Sequence, residues 1–179
     1  MQITRLELNR LNFYRASQLH GGLVLGQLAR RVRDGDLIMN LTRHGAEELE
    51  HARVWTETIL AVGGDLRPIR STYQARLAHI VGTPPSVFQV LALTQVFERR
   101  VFRHFTQHAR MAGTHELVRS TLERMIEKEK GHLSWLADWL QVEAARRRID
   151  VHAVLDRFSV ADARVYGELI YEYRFRTAA

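Results

Sequence analysis

Apolar or small residues recur at three- and four-residue steps at Leu8, Leu11, Tyr14, Gly21, Leu25, Leu28 and Val32, which predicts one long helix. The stretch RDGD at 33–36 breaks it. A second stripe follows on Leu41, Gly45, Ala52, Trp55 and Ile59 and ends at GGD, 63–65. Residues 65–83 read as a connector that holds a short helix near STYQARLAHI. TPPS then opens a third long helix, because proline is tolerated in a first turn, with Val87, Leu91, Thr94, Val101 and Phe105 on its stripe. AGTH at 112–115 ends that helix, and a fourth runs to about Arg148 on Val118, Leu122, Met125, Leu136 and Leu140. A C-terminal helix is expected over about 159–175, with Ser159 as its cap and Asp162 completing a capping-box-like pair. No run of alternating apolar and polar residues argues for a sheet.

The pattern is all-α. At 179 residues it fits a single domain over 1–179, with a helical core over about 5–147. Two helical hairpins joined by one long connector match a four-helix bundle with a single crossover. The connector is long enough to return along the bundle, so the second and third long helices are expected to run parallel.

Each inner stripe is broken by a polar residue. Gln18 fills the gap between Tyr14 and Gly21; Glu48, with His51 one turn on, interrupts the second helix. Glu98 interrupts the third, and Glu129 with His132 the fourth. Burying an unpaired carboxylate costs on the order of several kcal/mol, comparable with the stability of a whole domain. No arginine lies on these stripes to act as partner.

The heights of these residues agree. Glu98 lies 15 residues before the turn at 113 and Glu129 lies 16 after it, so antiparallel helices bring them level. Glu48 lies 14 residues after the turn near 34; its partner on the first helix is then expected at 18–20, and the stripe selects 18. Thirty residues separate 18 from 48, and 31 separate 98 from 129. The chain thus carries an internal repeat: an inward polar residue, one hairpin, then Glu-x-x-His. A single Glu-x-x-His occurs on many solvated helices. Two copies in register on core faces form the ligand arrangement of a carboxylate-bridged two-metal site, whose hard oxygens and imidazole nitrogens suit iron or manganese.

Composition narrows the chemistry. Hydrophobic residues make up 46% and charged residues 26%, an ordinary globular balance. Cysteine is absent, which excludes thiolate ligands, iron–sulfur clusters and disulfides and fits a reducing compartment. The chain opens on the amphipathic MQITRLELNR rather than a basic leader with an apolar core, and the longest charge-free run, 77–97, contains GTPP, Gln89 and Gln95. No membrane span is expected, and a cytoplasmic location follows as the default. The net charge of +6 suits an anionic partner, although 24 of the 26 basic residues are arginine, a bias that genome composition alone produces. RRVR at 30–33 and RRR at 146–148 lie near helix C-termini, where cations offset the dipole. Parallel second and third helices would bring both clusters to one end as a basic patch, with Asp34, Asp36 and Asp150 beside it.

On Glu48-x-x-His51, Glu98, Glu129-x-x-His132 and the hairpin register, residues 5–142 resemble the ferritin-like superfamily, nearer to rubrerythrin-like di-iron proteins and diiron oxygenases than to cage-forming ferritin. The resemblance implies a ferritin-like bundle holding two iron ions, or iron and manganese. Glu48 and Glu129 would bridge, His51 and His132 would be terminal ligands on different metals, and Glu98 would be terminal on the metal that His132 binds. Where the family carries a glutamate on the first helix, this chain has Gln18. Two divalent ions bring +4, which four carboxylates balance and three do not, so the metal beside Gln18 and His51 is expected to be held less tightly. His20 points elsewhere on the helix and is a poor substitute.

His44, one turn before Glu48, is a candidate to hydrogen-bond a ligand, although a lone inward histidine is more often a satisfied core residue. Tyr14, one turn before Gln18, and Gln95, one turn before Glu98, are candidates to orient a carboxylate or line a pocket. Gly21, beside Gln18, leaves room for dioxygen or substrate, or simply lets two helices approach. The implied function is oxidation of a small organic substrate with dioxygen or peroxide, with electrons from an external donor, since no cysteine module supplies them. Two rivals stand beside it. One is a tRNA-modifying diiron hydroxylase, with RNA on the basic end. The other is a non-enzymatic bundle whose metal site has decayed from Gln18 onwards. Oligomeric state is not legible.

Overall fold

Side-chain acceptors set where the helices begin. Thr4 accepts from the Glu7 amide to start α1 (Arg5–Ala29), and Asp34 accepts from the Leu37 amide at 2.8 Å to start α2 (Gly35–Ala61). Thr72 and Ser86 do the same for α3 (Tyr73–Val81) and α4 (Val87–Arg110), and a ring nitrogen of His115 does so for α5 (Glu116–Arg147). Asp150 accepts from the Ala153 amide at the head of α6 (Val151–Tyr173). The computed structural model describes residues 3–173, and among these there is no strand.

Two boundaries differ from the pattern. Pro84 and Pro85 precede the Ser86 cap rather than sitting in the first turn of α4, because the serine oxygen provides the better start. The last helix begins at Val151, not Ser159. Arg148 takes a left-handed conformation (φ 54°) that ends α5, and Asp150 restarts the chain at once. Ser159 is therefore mid-helix, its hydroxyl bonded to the Leu155 carbonyl. Asp162 caps nothing: it is buried and accepts from the Arg100 guanidinium of α4 and the Tyr73 hydroxyl of α3. The expected end of this helix at 175 lies outside the described residues.

The helices α1 and α2 pack along their length as one hairpin, and α4 and α5 as another. Between the hairpins, α2 meets α5 at Thr58–Thr121 (3.0 Å), His51–Glu129 (3.5 Å) and His44–Trp135 (3.2 Å). Numbers fall along α2 as they rise along α5, so these helices are antiparallel and α2 runs parallel to α4. Close approach of α1 and α2 requires glycine at one place in particular. A Cβ on Gly22 would sit 2.8 Å from the Gly45 carbonyl oxygen. The stripe assigned the inward position to Gly21, but Gly22 is the buried one.

Apolar residues form two clusters, one at each end. One gathers around Leu11, Tyr14, Trp55, Phe105 and Leu122, the other around Leu25, Leu41, Leu91, Leu136 and Leu140. A layer of polar side chains divides them. No helix among the described residues is long and apolar enough to cross a membrane.

Candidate metal centre

The dividing layer consists of Gln18 from α1, His44, Glu48 and His51 from α2, Glu98 from α4, and Glu129 and His132 from α5, none more than 4% exposed. All six residues aligned by the hairpin register therefore meet in one place, and His44 joins them. The helical steps explain why. Residues at i, i+4 and i+7 share a face, so His44, Glu48 and His51 rise one above the other on α2.

The Nδ1 of His51 lies 3.5 Å from Glu48 Oε1 and 3.5 Å from Glu129 Oε1. The Nδ1 of His132 lies 3.1 Å from Glu129 Oε2 and 3.4 Å from Glu48 Oε1. His44 Nε2 is 3.5 Å from Glu98 Oε1, and Gln18 Nε2 donates to Glu129 Oε1 at 3.1 Å. Potential ligand atoms fall into two groups: His44, Glu48, Glu98 and His132, each within 4.8 Å of the others, and Glu48, His51 and Glu129 with the same spread. Glu48 belongs to both.

Whether a cation fits can be judged from what the polar atoms lack. Both carboxylate oxygens of Glu48, Oε2 of Glu98, Nδ1 of His51, Nε2 of His44 and Oε1 of Gln18 are buried without a hydrogen-bond partner. Buried polar atoms are normally satisfied, and a cation bound among these orphans could satisfy several of them at once. Among the described residues, only histidines form ion pairs with Glu48, Glu98 and Glu129. The donor set of carboxylate oxygens and imidazole nitrogens can hold metal ions.

Burial and mutual repulsion shift where protons reside among these groups. Burial, then repulsion from Glu129 and Glu48, pushes the Glu98 carboxyl well above the usual carboxylate range. Burial and the Glu129 charge raise Glu48. Glu129 goes the other way: burial opposes its ionisation, but contacts with His132 and His51 win and hold it low. Burial also pulls His51 down, yet Glu129 and Glu48 more than offset this and lift it to about 10, and His132 rises for the same reasons. His44 has no such compensation. Burial, followed by the neighbouring His132, pushes it to about 2, so it is neutral.

The tautomer of that neutral ring follows from its partner. The Trp135 indole N–H, which can only donate, gives a hydrogen bond to His44 Nδ1 at 3.2 Å. The ring proton must then sit on Nε2, facing Glu98. His44 in this setting points an N–H toward Glu98, 3.5 Å away, rather than a lone pair that could hold a metal. The opposite arrangement holds at His132, whose Nε2 meets Glu47 Oε2 at 2.8 Å while Nδ1 faces the cluster. A carboxylate on the far nitrogen orients a ligating imidazole and raises its basicity.

Sequence reasoning missed Glu47 and Trp135. Trp135 carried a signal, because it follows His132 by one helical turn on the core side. Glu47 lies off the inner stripe, half-exposed, and nothing in the pattern distinguished it from a solvated glutamate.

The other candidates stand apart from the cluster. The Tyr14 hydroxyl is 3.1 Å from His108 Nδ1, its ring packs on Trp55 and Phe105, and it reaches a 20 Å³ cavity shared with Gln18. It lines a pocket, and its hydroxyl is engaged by His108. Gln95 donates to the Leu133 carbonyl at 3.3 Å, bracing α4 against α5 rather than orienting Glu98. His20 is bonded to Thr72 Oγ1 at 2.5 Å, away from the cluster. A Cβ on Gly21 would come within 3.1 Å of Glu48 Oε2, so this glycine keeps open the space beside a cluster carboxylate. At the far end, Arg146 and Arg147 both pair with Glu143. Comparison with protein-family models, curated proteins and solved structures finds no match.

Proposed function

We propose that this chain is a di-metal oxidoreductase with a ferritin-like bundle, holding two iron ions or one iron and one manganese between its hairpins, and that it uses dioxygen or peroxide to oxidise a small organic substrate. The observation that carries this reading is the convergence of orphaned, fully buried oxygens and nitrogens from four helices on one space. When bound, such a pair of ions supplies oxidising power toward dioxygen or peroxide, with reducing equivalents from an external donor. Glu48, common to both groups, would serve both ions; Glu98 and His132 would hold one and His51 the other, with Glu129, beside both His51 and His132, available to either.

The remaining residues manage orientation and protons. Glu47 holds the His132 ring in place through Nε2. Neutral His44, its Nδ1 engaged by Trp135, presents Nε2–H toward Glu98 and orients that carboxyl group, which is the one that holds a titratable proton. Gln18 donates to Glu129 and offers only a neutral oxygen, so an ion on the His51 side would meet less negative charge. The two apolar clusters seal the layer from both ends and strengthen each charge interaction within it.

Ferrous iron titrated anaerobically into metal-free protein tests the reading. Uptake of about two ions per chain is expected, the second more weakly. Glu48→Ala and His132→Ala should lose both or one of them, whereas His44→Gln should retain the stoichiometry and slow substrate oxidation, as fits a residue that orients Glu98 and not a ligand. Failure of the parent protein to take up iron or manganese at any ratio would sink the proposal.

A further inference from the structure

A cavity of about 190 Å³ lies between α1, α3 and α4, against the metal-site layer. Its walls are largely apolar, with Val24, Leu77, Val90, Leu93 and Phe97 contributing, and Glu98 of the polar layer also lines it. Gly21 forms part of the same wall, and the Glu48 carboxylate lies directly behind it. A Cβ at position 21 would come within 3.1 Å of Glu48 Oε2 and 3.3 Å of Gln74 Nε2, crowding this wall.

The outer wall is α3, the short helix in the connector. Three contacts with α1 hold it there: Gln74 Nε2 donates to the Ser17 carbonyl at 2.9 Å, the Tyr73 amide reaches Ser17 Oγ at 3.4 Å, and His20 meets Thr72 at 2.5 Å. The Tyr73 hydroxyl bonds Asp162 on the other side. With its amide nitrogen engaged, Gln74 retains Oε1 as a buried acceptor without a partner, in a residue that lines the cavity.

We infer that this cavity binds the organic substrate, and that the substrate is a compact, mainly apolar molecule of roughly seven to ten non-hydrogen atoms carrying one hydrogen-bond donor for Gln74 Oε1. The size follows from volume, since an apolar cavity of about 150 Å³ holds one benzene ring. The donor follows from the orphaned acceptor, because a buried polar atom left unpaired is costly and a ligand that satisfies it gains affinity accordingly. The apolar end of such a molecule would lie against Glu98, next to the cluster. This assignment of a substrate rests on the di-metal reading, but the binding site itself does not require metal.

Phenol and benzene are the probes, titrated calorimetrically into metal-free protein, with iron stoichiometry measured separately on each variant. Phenol should bind at least tenfold more tightly than benzene. Val24→Phe and Val90→Phe, which fill the cavity from opposite walls, should each weaken phenol at least tenfold while iron uptake stays at the parent level. Gln74→Leu should erase the preference for phenol. No saturable phenol binding, or binding unchanged in both filling variants, would overturn the inference even if two irons bind. Phenol binding that obeys these expectations in a protein that takes up no iron supports the cavity as a binding site and overturns the di-metal reading alone.

Discussion

Gln18 has two roles that pull in opposite directions. Its amide donates to Glu129 and leaves three rather than four carboxylates in the layer. Changing it to glutamate adds a fourth buried negative charge, which costs stability in metal-free protein and gains it once cations are present. Gln18→Glu should therefore lower the melting temperature without metal, raise it with ferrous iron, and tighten the second binding step. An unchanged second affinity would place position 18 outside the ligand set. Glu47→Gln should weaken metal uptake about 10–100-fold by releasing the His132 ring.

Another residue sets an acid limit. Burial, then His108 and Arg100 nearby, holds His104 down at about 3, so it is neutral in the fold but protonates near pH 6.5 in the unfolded chain. Its depressed value contributes stability above pH 6.5 that is lost as pH falls towards 3. The loss amounts to about 1.4 kcal/mol per pH unit. Urea unfolding between pH 7 and 5 should show a shallower pH slope in His104→Gln than in the parent.

At the level of elements, the spacing of α1 and α2 depends on Gly22 and is indifferent to Gly26. A Cβ at 22 would meet the Gly45 carbonyl oxygen at 2.8 Å and Leu49 side-chain atoms at 2.8 and 2.9 Å, whereas one at 26 would meet nothing within 4 Å. Gly22→Ala should destabilise by about 1–3 kcal/mol through overpacking. Gly26→Ala should stabilise by up to about 1 kcal/mol, because alanine loses less backbone freedom in a helix. Chemical denaturation of the two variants provides the comparison, and equal effects would mean that the helices separate to accommodate a methyl. Because Asp162 ties α6 to both α4 and α3, the last helix also fixes the outer wall of the cavity.

For the whole molecule, if the polar layer between the two apolar clusters holds metal as proposed, stability should depend on loading. Iron at a hundred times its dissociation constant adds about 2.7 kcal/mol. For a chain of this size that corresponds to a melting temperature higher by roughly 5–10 °C. Chelator should reverse the gain. Metal-linked protons should also be measurable: Glu98, His51 and His132 all hold protons above their ordinary ranges when no cation is present. Loading then releases protons and weakens as pH falls. The pairing of Arg146 and Arg147 with Glu143 offsets part of the charge at the basic end. Binding of tRNA there is accordingly expected to be weak and to vanish with added salt.

Helical periodicity was enough to read the all-α fold, the short helix in the connector and the height at which six polar residues meet, because a fixed rise per residue turns sequence spacing into position. The same periodicity could not place the start of α6. That boundary depends on a left-handed turn at Arg148, a backbone choice that no stripe of apolar residues encodes. Nor could it assign His44. The ring's neutrality comes from burial and its tautomer from Trp135, 91 residues away. Glu47 and the cavity behind Gly21 likewise exist only where separate helices converge. Spacing along one helix determines which residues share a face. What those residues touch, which protons they keep and what space they leave are decided by the neighbouring helix.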